Sequence, residues 1–414
     1  MRIAIIGSGI AGLVTGHLLS GEHDVVLFEA NDYLGGHTHS IRLEQAGREY
    51  ILDTGFTVFN HEHYPNFVKV LDRAGIKSQP AGSGLGVRHE RTGREFSTAS
   101  PAAWFAQRSS FFRPSMYETI IDAARFRNQA RDFLQTKDPG VTMRDLVARR
   151  SYSRAFREGF LRALMEAPWT SDQVNPWDMP AKHFLDFFEC HGLLEFKNAP
   201  EWRVIRGGAF RYIGKLIPPM QQKLRLRTPV ARIRRYVDRV EIVPSNGAPE
   251  TFEHLIVATA ADAALAMLDE PTRPEQELLG AFPYQANEVV VHTDVSLLPK
   301  QKRARAGWNC LIPADPKACP IITHNLNLLQ GLDAPEPFLL TFNGTHRIAP
   351  EKILWRHTYQ HPVLTWKALS VQRRYGEING FNRTHYCGAY WGSGTHEDAI
   401  NSALMVCHDF HKRL

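Results

Sequence analysis

Three glycines near the amino terminus have the GxGxxG spacing of a phosphate-binding turn. They follow an apolar run at residues 3–6 and precede a helix-like segment that extends to about Leu19. The first glycine of such a turn permits a sharp reversal, the second lets the backbone approach a pyrophosphate, and the third lets the helix pack closely on the sheet. The helix N-terminus then faces the phosphates with its partial positive charge. The residues predicted to bind phosphate are Gly7, Gly9, Ile10, Ala11 and Gly12.

An acidic residue completes this unit. The second apolar run, residues 25–28, ends at Glu29, whose carboxylate can accept hydrogen bonds from ribose hydroxyls. Strand, turn, helix, second strand and terminal acid occur in the order of a βαβ unit that binds a dinucleotide. Ala30 and Asn31 follow the acid where an arginine would be needed for a 2′-phosphate, so NADP is disfavoured.

Length and composition narrow the function classes. The 414 residues suffice for two domains, and a hydrophobic content of 43% suits a globular enzyme. The net charge of +6 is a weak bias toward anionic partners, and since no nucleic-acid-binding motif accompanies it we expect no nucleic acid partner. Five cysteines without a CxxC pair argue against a zinc site, and we expect no metal. The chain enters a core strand at residue 2 and has no apolar run of membrane-spanning length, which favours a cytoplasmic location.

One basic segment could contact a membrane. Within residues 113–133, Phe126, Ala130 and Phe133 recur at helical spacing with arginines between them, which predicts an amphipathic helix. Such a helix could lie peripherally on the inner face of an anionic membrane, or it could simply cover a hydrophobic core. The sequence leaves both alternatives open, and it does not indicate an oligomeric state.

The segment after Glu29 resembles a known superfamily. An acid followed closely by a glycine pair resembles the flavoproteins of the amine oxidase and phytoene desaturase superfamily. The resemblance implies that the cofactor is FAD and that the glycine pair passes its pyrophosphate. Most relatives carry arginine after the glycines, where this chain has histidine. The residues to which the resemblance assigns cofactor contact here are Glu29, Ala30, Gly35, Gly36, His37 and Thr38.

Three later segments resemble the same superfamily. They are an Asp-x-Gly segment after a predicted hairpin, a middle segment that begins near a second glycine pair at residues 207–208, and a carboxy-terminal glycine-rich turn that starts the last helix. Residues 224–230 and 252–260 of the middle segment each predict one strand. The last helix begins with a capping box of Thr395 and Asp398, and its N-terminus is implied to face the flavin. The resemblance assigns cofactor contact to Asp53, Gly55, Phe56, Val230, Ala258, Thr259, Gly388, Glu397, Asp398 and Ala399.

These segments together indicate the fold class and the domains. The fold implied is α/β, with a Rossmann-type FAD-binding domain and an inserted α+β substrate domain like that of the amine oxidases. We expect residues 1–56, 203–262 and 381–414 to form the FAD-binding domain, and residues 57–202 and 263–380 to form the substrate-binding domain. The chain resembles most closely a bacterial subfamily of amine oxidoreductases whose genes often lie beside those of cyclopropane fatty acid synthases.

The candidate catalytic residues are few. Amine oxidases of this superfamily carry a lysine at the start of a strand like residues 288–293, and that position falls at Asn287 or Glu288 here. His292, in the same strand, is either catalytic or a buried core histidine. Tyr390 and Trp391 precede the glycine-rich turn and could meet a substrate on the flavin.

The sequence therefore predicts an FAD-dependent oxidoreductase in which a hydride leaves a substrate C–H bond for the flavin. We expect a small, apolar substrate of fatty-acyl or lipid-like character, as for a desaturase, because the insert is rich in aromatic residues. Amine oxidation is the alternative within enzymes, and a non-redox isomerase or a flavin-binding protein without turnover is the alternative of another class. The aromatic residues that carry this expectation are Trp169, Trp177 and Phe184 to Phe188.

Overall fold

The computed structural model describes residues 1–136, 140–166, 174–195, 199–315 and 317–414. Within these residues, no helix is both long and apolar enough to cross a membrane. The strands are β1 (Arg2–Ile6), β2 (Asp24–Phe28), β3 (Ser40–Gln45), β4 (Arg48–Asp53), β5 (Ser78–Pro80), β6 (Leu85–His89), β7 (Arg94–Ser97), β8 (Arg203–Ile205), β9 (Leu224–Arg225), β10 (Val230–Arg235), β11 (Val240–Pro244), β12 (Glu250–Phe252), β13 (His254–Val257), β14 (Tyr284–His292), β15 (Trp308–Ile312), β16 (Ile321–Asn325), β17 (Leu339–Phe342), β18 (Ile353–Pro362) and β19 (Thr384–Tyr386). The α-helices are α1 (Ile10–Leu19), α2 (Pro65–Arg73), α3 (Pro114–Leu134), α4 (Met143–Ala148), α5 (Arg162–Glu166), α6 (Ala181–Cys190), α7 (Phe210–Leu216), α8 (Ala261–Met267), α9 (Arg273–Leu279), α10 (Leu326–Gln330), α11 (Trp366–Val371) and α12 (His396–Asp409).

The amino-terminal apolar runs form the centre of a parallel sheet. Its strand order is β19-β13-β1-β2-β9, and all neighbours are parallel. Successive side chains of β1 point to opposite faces. Ile3 and Ile5 pack with α1 and α12, whereas Ala4 and Ile6 pack with the antiparallel sheet β10-β11-β12. Because both faces are covered, these strands are apolar throughout rather than alternating.

A seven-stranded mixed sheet lies beside the first cofactor segment. Its order is β18-β14-β17-β16-β15-β6-β7, and only the pair β15 and β6 is parallel. Val289 and Val291 of β14 pack with Tyr50 and Leu52 of the β3–β4 hairpin. This packing joins the mixed sheet to the chain that follows β2.

The helical insert packs around its own aromatic core. Phe184 and Phe188 of α6 are fully buried there, and Trp177 is partly buried against the same cluster, while Trp169 lies outside the described residues. The predicted amphipathic helix is α3, and its apolar stripe of Phe126, Ala130 and Phe133 belongs to this core. Of the two alternatives for that stripe, covering a core is therefore the one that the structure shows.

Two strand predictions are wrong in their extent. The predicted strand at residues 224–230 ends at Arg225, because Arg227 turns with φ of 52° and the next strand begins only at Val230. The predicted strand at residues 252–260 is two strands of different sheets, β12 and β13, which separate at Glu253. Apolar periodicity does not show to which sheet a strand belongs.

The predicted α/β fold class is confirmed. The parallel sheet draws its strands from residues 2–6, 24–28, 224–225, 254–257 and 384–386, which lie in the three segments assigned to FAD. The mixed sheet draws its strands from the intervening segments. The domain boundaries themselves stay a prediction.

Candidate FAD site

The GxGxxG turn lies at the carboxyl edge of the parallel sheet, between β1 and α1. Gly7 adopts φ of 101°, and a Cβ there would lie 2.7 Å from the Ala258 carbonyl oxygen. A Cβ on Gly12 would lie 2.0 Å from the Gly7 carbonyl oxygen, so only glycine lets α1 approach this closely. By contrast, a Cβ on Gly9 would meet no atom within 4 Å. Gly9 therefore faces open space at the helix N-terminus, as a pyrophosphate requires.

The first glycine pair closes over this open space. Gly35 forms a bridge with Gly9, and its N–H donates to the Ser8 carbonyl oxygen over 2.9 Å. Gly36 adopts φ of 57°, and a Cβ there would lie 3.3 Å from the Gly9 Cα. The two glycine segments thus form a cradle of bare backbone, with Ile10 and Ala11 in the first turn of α1 behind it.

Glu29 is held in place at the end of β2. Its Oε2 accepts hydrogen bonds from the Ser8 N–H (2.9 Å) and hydroxyl (2.5 Å), and its Oε1 accepts from the Asn31 N–H (2.8 Å). Ala30 next to it is exposed. The Thr228 N–H donates to the Glu29 carbonyl oxygen, which brings the chain before Val230 to the same edge. Glu29 therefore lies at the expected edge of the sheet, and a contact of its carboxylate with a ribose stays a prediction.

Small residues line the opposite side of the turn. Ala258 follows β13, and its N–H donates to the Ile6 carbonyl oxygen. The Thr259 methyl group lies 3.1 Å from the position of a Cβ on Gly7. Gly388 follows β19, where its N–H donates to the Ser402 hydroxyl of α12. The carboxyl ends of three parallel strands therefore meet at one edge, which is where ligands bind in folds of this kind.

The loop after the glycine pair meets the N-terminus of α12. The Thr38 hydroxyl lies 3.0 Å from His396 Nε2 and 2.5 Å from the Tyr212 hydroxyl. The His396 ring stacks on Phe56 with centroids 3.5 Å apart. A Cβ on Gly55 would lie 2.1 Å from the His37 carbonyl oxygen, so the Asp-x-Gly segment lies directly on this loop. Three segments far apart in sequence thus converge here.

The Asp53 carboxylate accepts hydrogen bonds from several of these segments. It is fully buried, and its Oδ1 accepts from the Ser40 hydroxyl (2.5 Å) and from the Ala209 N–H (2.9 Å). The Gln330 side chain donates to its other oxygen over 3.3 Å. Burial raises the pKa of Asp53 to about 6, and the bonds from Ser40 and Ala209 oppose that rise. The Asp53 side chain thus binds protein groups on three segments.

The two acids in the first turn of α12 are engaged by protein groups. Asp398 closes the predicted capping box, since its carboxylate accepts from the Thr395 N–H over 2.9 Å. The Glu397 carboxylate accepts from the N–H groups of Asn66 (3.0 Å) and Phe67 (2.9 Å). Glu397 therefore caps α2, whose own N-cap residue offers no side-chain bond. Ala399 beside them is buried. Cofactor contact by this turn, which stays a prediction, would involve its backbone rather than these carboxylates.

One face of β18 supports the first loop from the side of the mixed sheet. The Tyr359 hydroxyl lies 2.8 Å from the Thr54 hydroxyl and 3.0 Å from His39 Nδ1. The His37 ring lies against His361, with centroids 5.0 Å apart. The sequence-based predictions do not include this face of β18, although an alternation of polar aromatic residues indicates it. The residues that alternate are Trp355, His357, Tyr359 and His361.

Desolvation by the surrounding protein lowers the pKa of the histidines at the convergence, including that of His37. Burial lowers the pKa of His361 and of His396 to about 3 in each case. The described side chains that meet here are therefore largely aromatic: Phe56 with His396, and His37 with His361.

Asn287 and Glu288 are the two candidates for the position of the amine oxidase lysine. The Asn287 side-chain amide lies 2.8 Å from His361 Nδ1, and its oxygen accepts from the Asn343 amide over 2.7 Å. Asn287 is 2% exposed. The neighbouring Glu288 binds Thr345 through its side chain. A polar network that is already bonded thus replaces the lysine.

His292, Tyr390 and Trp391, the three residues predicted to be catalytic, make contacts with other protein side chains. His292 is fully buried, its Nε2 lies 2.7 Å from the Thr341 hydroxyl, and its Nδ1 accepts from the Asp294 N–H. These are the contacts of a core histidine, the second of its two interpretations. Tyr390 is 2% exposed and packs on Phe282, and Trp391 packs on the same ring, so Tyr390 offers no open face to a substrate. The catalytic roles of His292, Tyr390 and Trp391 stay predictions, and the burial of His292 and Tyr390 does not favour theirs.

Comparison with known proteins identifies the family. Residues 10–311 match the family model described as flavin containing amine oxidoreductase. The chain belongs to this family. The protein is therefore an FAD-dependent enzyme, and the backbone cradle of the two glycine segments has open space at Gly9. FAD would be held by the GxGxxG turn, the first glycine pair and Glu29.

Solved structures share the whole fold of this amine oxidoreductase. The CLA-producing fatty acid isomerase from P. acnes is 18% identical with a TM-score of 0.71, and the match covers 99% of this chain and 98% of the isomerase. Wild-type putrescine oxidase bound to putrescine is 10% identical, with a TM-score of 0.70 and 99% of each chain covered. Cyclohexylamine oxidase from Brevibacterium oxydans IH-35A is 14% identical, with a TM-score of 0.68 and 99% of each chain covered.

One relative by sequence is an uncharacterized protein of Methanocaldococcus jannaschii. It is 36% identical over 91 residues, which is 20% of this chain and 22% of the relative. The match thus spans less than a quarter of that protein.

Proposed function

We propose that this flavoprotein removes a hydride from a C–H bond of an apolar, fatty-acyl or lipid-like substrate and leaves a carbon–carbon double bond. The observation that carries the proposal is the aromatic character of the side chains that converge at the cofactor segments: Phe56 stacks on His396, and His37 lies against His361. Burial lowers the pKa of each of these three histidines. An aromatic wall is favourable for an acyl chain because it places no unpaired charge against apolar surface.

The acids near the cleft give the same indication. A protonated amine is held best by a free carboxylate. The carboxylates of Asp53, Glu397 and Asp398 are each engaged by protein donors, so none of the three is free to bind an ammonium group. Amine oxidation, the alternative from the sequence, is disfavoured further by Asn287 in place of lysine.

The chemistry requires little from protein acids. FAD, when bound, would supply the hydride acceptor; loss of the hydride from one substrate carbon and of a proton from the neighbouring carbon to water would leave the double bond. The protein supplies position and a low-dielectric site: Phe56 and His396 form a stacked pair, and Thr38 fixes His396 by a hydrogen bond. The N-terminus of α12 places its partial positive charge beside this pair.

A second candidate is isomerisation of the same class of substrate without net oxidation. The similarity over 99% of the chain to a fatty acid isomerase favours it, since that fold can handle an acyl chain. Both candidates share the apolar substrate and differ in whether electrons leave the substrate.

Mass spectrometry of the acyl chains separates the candidates. The holoenzyme is incubated under air with vesicles of monounsaturated phosphatidylglycerol, with and without an added quinone as electron acceptor. The proposal predicts acyl chains with two hydrogen atoms fewer. Unchanged mass with a moved double bond would identify an isomerase.

Two further measurements complete this test. Unchanged lipid together with oxidation of an added amine would contradict the proposal. The Gly9→Val variant, which we expect to fold without FAD, is the matched control and should give no product.

A further inference from the structure

Four large apolar side chains protrude from one end of the helical insert. Phe111 and Phe112 are 52% and 88% exposed at the end of a 3₁₀ turn, and Tyr117 and Ile121 are 44% and 59% exposed on the first turns of α3. Tyr117 and Ile121 are four residues apart and share one face of the helix. We refer to these four residues as the aromatic tip.

The aromatic tip is held in shape by its own contacts. The Tyr117 hydroxyl donates to the Phe111 carbonyl oxygen over 2.9 Å. The half-buried Phe105 stacks on Phe111 with centroids 4.5 Å apart, and it also contacts Tyr117. The exposed rings are therefore presented by a defined substructure, and they are separate from the core-facing stripe of α3.

Basic side chains surround the aromatic tip. Arg108 is exposed at the start of the same 3₁₀ turn, and Arg113 precedes α3. Arg94 of β7 donates to the Thr119 hydroxyl over 3.2 Å, which places a third guanidinium beside the first turns of α3. Glu118 is the acid that follows Tyr117 in this helix. The local balance of charge is positive.

We propose that the aromatic tip docks the enzyme on an anionic lipid surface. Aromatic rings that protrude among arginines match the interfacial region of a bilayer, where rings enter the acyl boundary and guanidinium groups contact anionic head groups. A second protein is a poorer match, because a stable interface needs roughly 800 Å² from each partner and four exposed side chains do not offer that area. The proposal does not depend on the identity of the substrate.

Vesicle flotation of the holoenzyme tests the proposal. We expect wild-type enzyme to float with vesicles that contain phosphatidylglycerol and to remain below with pure phosphatidylcholine at low salt. The double variant F111S/F112S should lose at least about tenfold in partition coefficient, because two rings no longer enter the interface. Arg108→Gln and Arg113→Gln should each lower partition about fivefold on anionic vesicles.

A matched control uses another exposed phenylalanine. Phe381 is 60% exposed but lies just before β19, and Phe381→Ser should leave flotation unchanged. An unchanged flavin spectrum in each variant shows that the variant is folded. Wild-type enzyme that fails to float, or a double variant that floats as well as wild type, would overturn the proposal. A wild-type dimer that the double variant converts to monomer would instead identify the tip as a protein interface.

Discussion

Replacing Asp53 with asparagine tests how the cofactor-binding segments are tied together. The Asp53 carboxylate joins the β3–β4 hairpin, the chain before α7 and Gln330 of α10 by hydrogen bonds. Burial raises its pKa to about 6, from an ordinary value of 3.8. The folded protein therefore binds a proton at Asp53 more tightly than the unfolded chain does, and the ionised form costs the folded state free energy.

The size and sign of the pH effect follow from that difference in pKa. At about pH 8 the ionised carboxylate costs the folded state about 3 kcal/mol. Because the folded-state pKa is raised, this cost decreases as the pH falls through 6 and is absent once the pH is below the unfolded value. Between about pH 8 and about pH 5, wild type should gain about 1.4 kcal/mol of unfolding free energy relative to a variant that is neutral at residue 53.

Urea unfolding at the two pH values measures this gain. The asparagine side chain keeps an oxygen that can accept from Ser40 and Ala209 but carries no charge. The difference between the unfolding free energies of wild type and Asp53→Asn should therefore shift by about 1.4 kcal/mol in favour of wild type at the lower pH. Asp238, whose side chain is 71% exposed, provides the control Asp238→Asn, which should show no such shift. An equal difference at both pH values would refute the buried, ionisable carboxylate.

Four substitutions test other parts of the structure. Gly9→Val should fold but purify colourless, because its side chain fills the cradle. Gly12→Val should not fold, because its Cβ would lie 2.0 Å from the Gly7 carbonyl oxygen. A yellow Gly9→Val protein would show that the pyrophosphate does not bind at Gly9. Glu397→Gln should lower the unfolding free energy by about 1–2 kcal/mol with an unchanged flavin spectrum, and a shifted spectrum would show that Glu397 acts on the flavin instead. Glu275→Gln should lower the free energy of unfolding in urea by about 3–5 kcal/mol, because it leaves the buried guanidinium of Arg235 without its counter-ion. A decrease below about 1 kcal/mol would contradict that pairing.

The parts of the site that depend on local spacing could be predicted from the sequence. The GxGxxG turn, Glu29 at the end of β2 and the capping box of α12 all lie where the pattern placed them. Each depends on residues that are close in sequence, so the pattern and the structure are linked by local geometry alone.

The contacts between distant segments could not be predicted in the same way. Nothing in the sequence around Glu397 shows that it caps α2, because the donors at Asn66 and Phe67 are more than three hundred residues away. The same holds for Gln330 on Asp53 and for β18 on the first loop. The alternation of aromatic residues in β18 indicates one polar face, but only the sheet order shows what that face contacts.

Anaerobic reduction of the bound FAD tests the central claim most directly. Monounsaturated phosphatidylglycerol or a panel of primary amines is added, and the absorbance of the oxidised flavin is monitored over a single turnover. We expect the lipid to bleach the flavin and the amines to leave its absorbance unchanged. Bleaching by an amine, with the lipid inert, would contradict the assignment of an apolar substrate.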